Sequence, residues 1–118
     1  MSTKANQPNG IYLGYFTAEL GNSMGIFLIK DQIVSGADMG GGTYDGTLEF
    51  IEDENVLQGE IEFRTKDGGV TITGAVSDLP VQFRTQVKLE LPLESKSFHR
   101  LETMTGPINV RFEKVRDL

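Results

Sequence analysis

From Gly10 to the C-terminus, apolar and polar residues alternate with a period of two, in short runs punctuated by Gly, Asp and Asn. At that period successive side chains of an extended chain point to opposite faces, so the runs predict strands with one buried and one wet face. The clearest is VQFRTQVKLEL at 81–91, where Val81, Phe83, Val87, Leu89 and Leu91 alternate with Gln82, Arg84, Gln86, Lys88 and Glu90. PINVRFEKV at 107–115 does the same, with Ile108, Val110 and Phe112 set against Asn109, Arg111 and Glu113. Earlier runs are GIYLGYFTAE (10–19), SMGIFLIK (23–30), QIVSG (32–36), TYDGTLEFI (43–51), VLQGEIEFRT (56–65) and VTITGAVS (70–77). Between them fall turn-forming clusters: Leu20-Gly21-Asn22, Lys30-Asp31-Gln32, the glycine-rich ADMGGG loop, the acidic Glu52-Asp53-Glu54-Asn55, Lys66-Asp67-Gly68-Gly69 and Asp78-Leu79-Pro80. Residues 92–105, PLESKSFHRLETMT, fit no period and read as a long loop with at most one short helical or extended piece.

About eight short antiparallel strands with tight turns and no convincing helix predict an all-β sandwich or an up-and-down barrel. The barrel is preferred because Gly14, Gly25, Gly46, Gly59 and Gly74 fall inside strands. There they weaken a flat sheet but permit the coiling that closure needs. The expected inward set is Leu48, Phe50, Leu57, Ile61, Phe63, Val70, Ile72, Val76, Phe83, Val87, Leu89, Ile108, Val110 and Phe112. Residues 1–9 are polar and read as a mobile tail, leaving 10–118 as a single domain. The first two strands break the alternation: Ile11, Tyr12, Leu13, Tyr15 and Phe16, then Met24, Ile26, Phe27, Leu28 and Ile29, are apolar on both faces. A barrel has one inside, so the second apolar face needs a cover. A homodimer is expected, with Tyr12, Phe16, Phe27 and Ile29 as interface candidates. The alternative is that the N-terminal tail or the 92–105 segment folds over the face.

Composition narrows the function. The 118 residues carry 17 acids against 11 Lys and Arg, a net charge of -6. Such a surface repels phosphate, so no direct binding of nucleic acid is expected. There is no Cys, which excludes disulfides and thiolate chemistry. No apolar run suggests a signal peptide or membrane helix, so a soluble, cytoplasmic protein is expected, without cofactor or metal.

No catalytic motif is present, and no enzymatic activity is expected. His99 is the single histidine and reads as a surface loop residue; one His cannot build a zinc site. Met39-Gly40-Gly41-Gly42 resembles a phosphate-cradling loop but leads into a strand and carries no Lys. It reads as a barrel-mouth loop, with Asp38 placed to hydrogen-bond its amides. Glu49, Glu60 and Glu62 sit on wet strand faces. The acidic turn at 52–54 has two readings: a solubilising tip that blunts sheet-edge pairing, or a surface that steers a basic partner.

NGIY at 9–12, GIFLIK at 25–30, IVSGAD at 33–38, YDGTL at 44–48 and EDEN at 52–55 together resemble the GrlR-type negative regulators of type III secretion, with GPINVRF at 106–112 as weaker support. The resemblance implies a small, dimeric, lipocalin-like eight-stranded barrel. It also implies capture of a basic helix-turn-helix transcriptional activator through an exposed acidic EDED stretch. Glu52, Asp53 and Glu54 match the first three members of that stretch, and Asn55 stands in place of the fourth acid. Ala37 stands where the family commonly has a second glycine before Asp38. The alternative expectation is a carrier of a small apolar ligand or lipid in the barrel interior.

Overall fold

The computed structural model describes residues 8–19, 21–65, 80–95, 98–103 and 106–118. Among them are eight strands: β1 (Gly10–Ala18), β2 (Gly21–Lys30), β3 (Ile33–Asp38), β4 (Thr43–Ile51), β5 (Val56–Thr65), β6 (Val81–Glu90), β7 (His99–Thr103) and β8 (Gly106–Asp117). A 3-10 turn, Leu93–Ser95, precedes β7. All neighbours are antiparallel within one sheet of order β6-β5-β4-β3-β2-β1-β8-β7. Consecutive strands pair from β1 to β6, and β8 returns to β1, so the sheet curls into an up-and-down, nearly closed barrel. β6 and β7 lie close across the remaining seam without being ladder partners.

The expected fold class is the observed one, but two strands differ from the sequence expectation. The run 70–77 lies outside the described residues. β7 comes from the segment read as loop, where its inward positions are His99, Leu101 and Thr103. Two of those three are polar, so no apolar period marks the strand. β3 also runs on through Asp38, beyond the expected 32–36. Asp31 and Gln32 both take left-handed backbone angles (φ 49° and 74°), so the two of them form the tight hairpin between Lys30 and Ile33.

Inward side chains fill the barrel. A chain of rings runs through it: Phe16, Phe27, Tyr44, Phe63 and Phe83 lie with consecutive centroids 5.0–5.7 Å apart. Such pairs add to the burial of apolar area, which is the main source of stability. Every expected inward residue within the described part is buried or half-buried; Val70, Ile72 and Val76 lie outside it. At Gly46 and Gly59 the adjacent strands come so close that a methyl group would overlap the Glu60 and Thr47 carbonyl oxygens. Only glycine permits that approach, which bends β4 and β5 around the core.

Tyr12 and Leu93 are fully buried. The Tyr12 hydroxyl donates to the Pro8 carbonyl at 2.8 Å. Asn9 is tied to the β2–β3 turn, accepting from the Asp31 amide at 3.1 Å. The last two residues assigned to the tail are thus docked on the barrel, and residues 1–7 lie outside the described part.

The interface candidates on β1 and β2 need correction. Tyr12, Phe16, Phe27 and Ile29 all point inward and are between 0% and 6% exposed. Both faces of these strands are apolar, as expected, but the residues free to meet a partner have the opposite parity: Ile11, Leu13 and Tyr15 on β1, and Met24, Ile26 and Leu28 on β2.

Candidate functional site

The acidic tip closes the hairpin between β4 and β5, and residues 52–55 are all exposed. Two backbone bonds shape it: Glu54 N donates to the Ile51 carbonyl at 3.3 Å, and Asn55 N to that of Glu52 at 3.2 Å. Asn55 has φ 55°, a left-handed conformation that Asn tolerates better than most residues. Its carbonyl accepts from the Leu91 amide at 3.0 Å, and its side-chain amide donates to the Leu91 carbonyl at 3.2 Å. Asn55 therefore clamps the tip to the end of β6, a role that needs a donor and that a carboxylate at this position would not fill. Glu54 pairs with Lys88 at 2.8 Å. Among the described residues no cation pairs with Glu52 or Asp53, so the tip's unneutralised charge rests on these two.

The glycine-rich loop sits at the other end of β4, about 30 Å of strand away. As expected, Asp38 orders it. One carboxylate oxygen accepts from the amides of Gly40 and Gly42, each at 2.9 Å, while the Tyr44 hydroxyl donates to the other. Burial, reinforced by that bond to Asp38, pushes the Tyr44 hydroxyl far above its ordinary pKa, so it stays a donor. With its carboxylate spent on the turn, Asp38 is a structural residue of the loop.

His99 is not on a surface loop. It begins β7, is 7% exposed, lies 5.6 Å from the Phe112 ring, and has Nε2 3.1 Å from the Leu93 carbonyl. A carbonyl only accepts, so Nε2 carries the proton and His99 ties β7 to the turn at Leu93–Ser95. Sequence offered no signal for this, because a solitary His in an aperiodic stretch looks the same buried or exposed.

The interior retains a cavity of about 90 Å³. It lies among Phe16, Phe27, Tyr44, Phe63, Phe83 and Phe112 and their aliphatic neighbours; besides Tyr44, whose hydroxyl is engaged by Asp38, Thr85 and Thr103 are its hydroxyl-bearing lining residues. Glu49, Glu60 and Glu62 are on outward positions, and no group of acids and histidines able to hold a metal occurs among the described residues. No described helix is long and apolar enough to cross a membrane.

These features define an all-β, nearly closed barrel with an acidic turn at one end and a glycine-rich loop at the other. No protein-family model, curated protein or solved structure matches the chain.

Proposed function

We propose that this barrel is a non-enzymatic regulatory protein that captures a basic partner through the tip at Glu52, Asp53 and Glu54. The observation that carries the reading is the geometry of the tip. Two exposed acids without a cation partner among the described residues stand on a turn clamped to β6 by Asn55. A charge display held on a rigid scaffold costs little ordering entropy when it binds. The resemblance to GrlR-type regulators makes a basic transcriptional activator, of the kind that controls type III secretion, the partner class. Converting Glu52, Asp53 and Glu54 together to Lys is expected to abolish capture of that partner from host extract, with the melting curve unchanged. Capture should also weaken steeply as salt is raised from about 0.05 to about 0.5 M. Undiminished capture by the reversed tip would overturn the reading.

A second reading, a carrier of a small apolar ligand, is favoured by the void in the barrel. Its size restricts the cargo. Binding pockets for drug-sized molecules measure roughly 300–1,000 Å³, and a benzene ring occupies an engineered cavity of roughly 150 Å³. At about 90 Å³ the void suits no lipid chain without repacking of the ring stack. Native mass spectrometry of freshly purified protein tests it: a stoichiometric bound molecule supports the carrier, and bare protein removes it.

A further inference from the structure

We propose that the free edge of β6, from Val81 to Gln86, takes an extended segment of a partner protein as an added strand, one aliphatic side chain of which enters the void of the barrel. This edge lies at the end of β6 away from the acidic tip, so the proposal does not rest on the function of the tip.

The direction of the β6 backbone is fixed at both ends. Val81 N donates to the Thr65 hydroxyl on β5, and Leu91 N donates to the Asn55 carbonyl next to that strand. The β5–β6 register is unbroken between them, so odd residues turn their N–H and C=O toward β5 and even ones turn theirs to the seam. Gln82, Arg84 and Gln86 therefore present three amides and three carbonyls to the seam, without a hydrogen-bond partner among the described residues. β7 is too short to cover the whole edge, at 5 residues against 10 for β6. It runs antiparallel to β6, returning from the 3-10 turn alongside the C-terminal half. The inward side chains record where that cover stops: Val87 and Leu89 are buried, whereas Val81, Phe83 and Thr85 are only half-buried.

A row of backbone donors and acceptors at strand spacing is satisfied by another strand, the usual mode of strand addition. The void lies directly behind, lined by Phe83 and Thr85 from one side of the seam and by Leu101 and Thr103 from the other. At about 90 Å³ it has room for about three water-sized groups, which suits a branched aliphatic side chain. The occupant is thus a segment in which apolar and polar residues alternate. Its apolar parity falls beside Phe83 and the void, and its polar parity beside Gln82, Arg84 and Gln86. An acid in the polar parity would meet the Arg84 side chain, which is 68% exposed.

The probe is an acetylated octapeptide in which leucine alternates with threonine and glutamate. It is expected to bind with a Kd on the order of 100 µM and to protect the amides of Gln82, Arg84 and Gln86 from hydrogen exchange. N-methylating the peptide at the residues whose amides face β6 leaves its side chains intact and should weaken binding about tenfold. Arg84→Pro removes one outward N–H without touching the β5 ladder and should weaken it similarly, whereas Arg84→Gln keeps the amide and should stay within about threefold of the parent. Thr85→Leu, which fills the void from within, should weaken the leucine peptide more than one carrying alanine in its place. No binding at about 1 mM peptide, binding indifferent to N-methylation, or protection confined to other strands would overturn the proposal. Two rival occupants would overturn it as well. Isobutanol binding as tightly as the peptide would make the void a site for free ligand, and edge protection that grows with protein concentration alone would make the occupant a second copy.

Discussion

The outer faces of β1–β3 and of β5–β6 belong to one barrel and enclose one core, yet they are opposites. On β5 and β6 the outward positions pair opposite signs or amides directly across the ladder. Glu62 faces Arg84, Glu60 faces Gln86, Gln58 faces Lys88 and Arg64 faces Gln82. Gln86 donates to Glu60 at 2.7 Å and Gln82 to Glu62 at 2.9 Å, so this face satisfies itself and needs only water beyond it. On β1 and β2 the cross-strand outward pairs are Ile11 with Leu28, Leu13 with Ile26 and Tyr15 with Met24. Those contacts are good, but they leave apolar area facing solvent. The inner positions of both regions are alike, most of them large and apolar. The barrel is specified from within, and the outward parity is left free to encode what the molecule meets.

The largest expected effect separates the inside of β2 from its outside. Phe27, packed on Phe16, Tyr44 and Phe112, should lose about 3–5 kcal/mol when cut to Ala. Leu28→Ser, one residue on, should change monomer stability by less than about 1 kcal/mol. Urea unfolding of the two variants measures both. Comparable losses at the two positions would mean that the outer face is also part of the monomer's core.

The next effect concerns how the charged region is bent. Gly46→Ala or Gly59→Ala forces a methyl into the facing strand's backbone, which cannot yield as a side chain tip would. About 1–3 kcal/mol should be lost. The same change at Gly21, where a methyl would touch nothing, tests backbone angle alone (φ 152°). Denaturant midpoints that rank Gly46 and Gly59 well above Gly21 would show that close approach, rather than glycine's freedom, sets the curvature.

The alternation that makes the strands legible in sequence also explains where legibility ends. β5, β6 and β8 could be placed residue by residue because each has one wet face, which fixes the parity. β1 and β2 are apolar on both faces, so their parity was open, and Tyr12, Phe16, Phe27 and Ile29 were assigned to the wrong side. Nothing local distinguishes Phe27 from Leu28; the Gly36 backbone beneath Phe27 and the ring of Tyr44 do so, and both are contributed by other strands. β7 was hidden for the converse reason, two of its three inward positions being polar. The tip was readable as an exposed acidic turn, but the function of Asn55 was not. Its partner, Leu91, lies on another strand's end, 36 residues on.

That clamp supplies the third test. Asn55→Asp would complete a run of four acids, and charge alone argues that it should strengthen capture of a basic partner. Geometry argues against it: the new carboxylate would face the Leu91 carbonyl, and about 1 kcal/mol of stability should go with the lost bond. Thermal unfolding against partner affinity separates the two. A variant as stable as the parent would show that the clamp contributes nothing and that only charge matters at the tip.

The smallest effect is also the one that marks the two faces apart most cleanly, because the carboxylate it reads lies on only one of them. Hydrogen bonds from Arg64 and Gln82, helped by the charges of Arg64 and Arg84, hold the Glu62 carboxyl below its ordinary pKa. A depressed folded pKa means that the contribution is fully present above the usual carboxylate range. It is lost as pH falls through that range to the lower folded value, where both states are protonated. The melting temperature of Glu62→Gln should therefore lie slightly below the parent's at neutral pH and converge on it in acid. Added salt should narrow the neutral-pH gap, since the pairs are exposed. Ile26→Ser, on the other face, should show a difference from the parent that does not vary with pH over the same range. If the Glu62→Gln gap were equally flat, the β5–β6 ladder would be a solvated decoration of the barrel rather than an interacting surface.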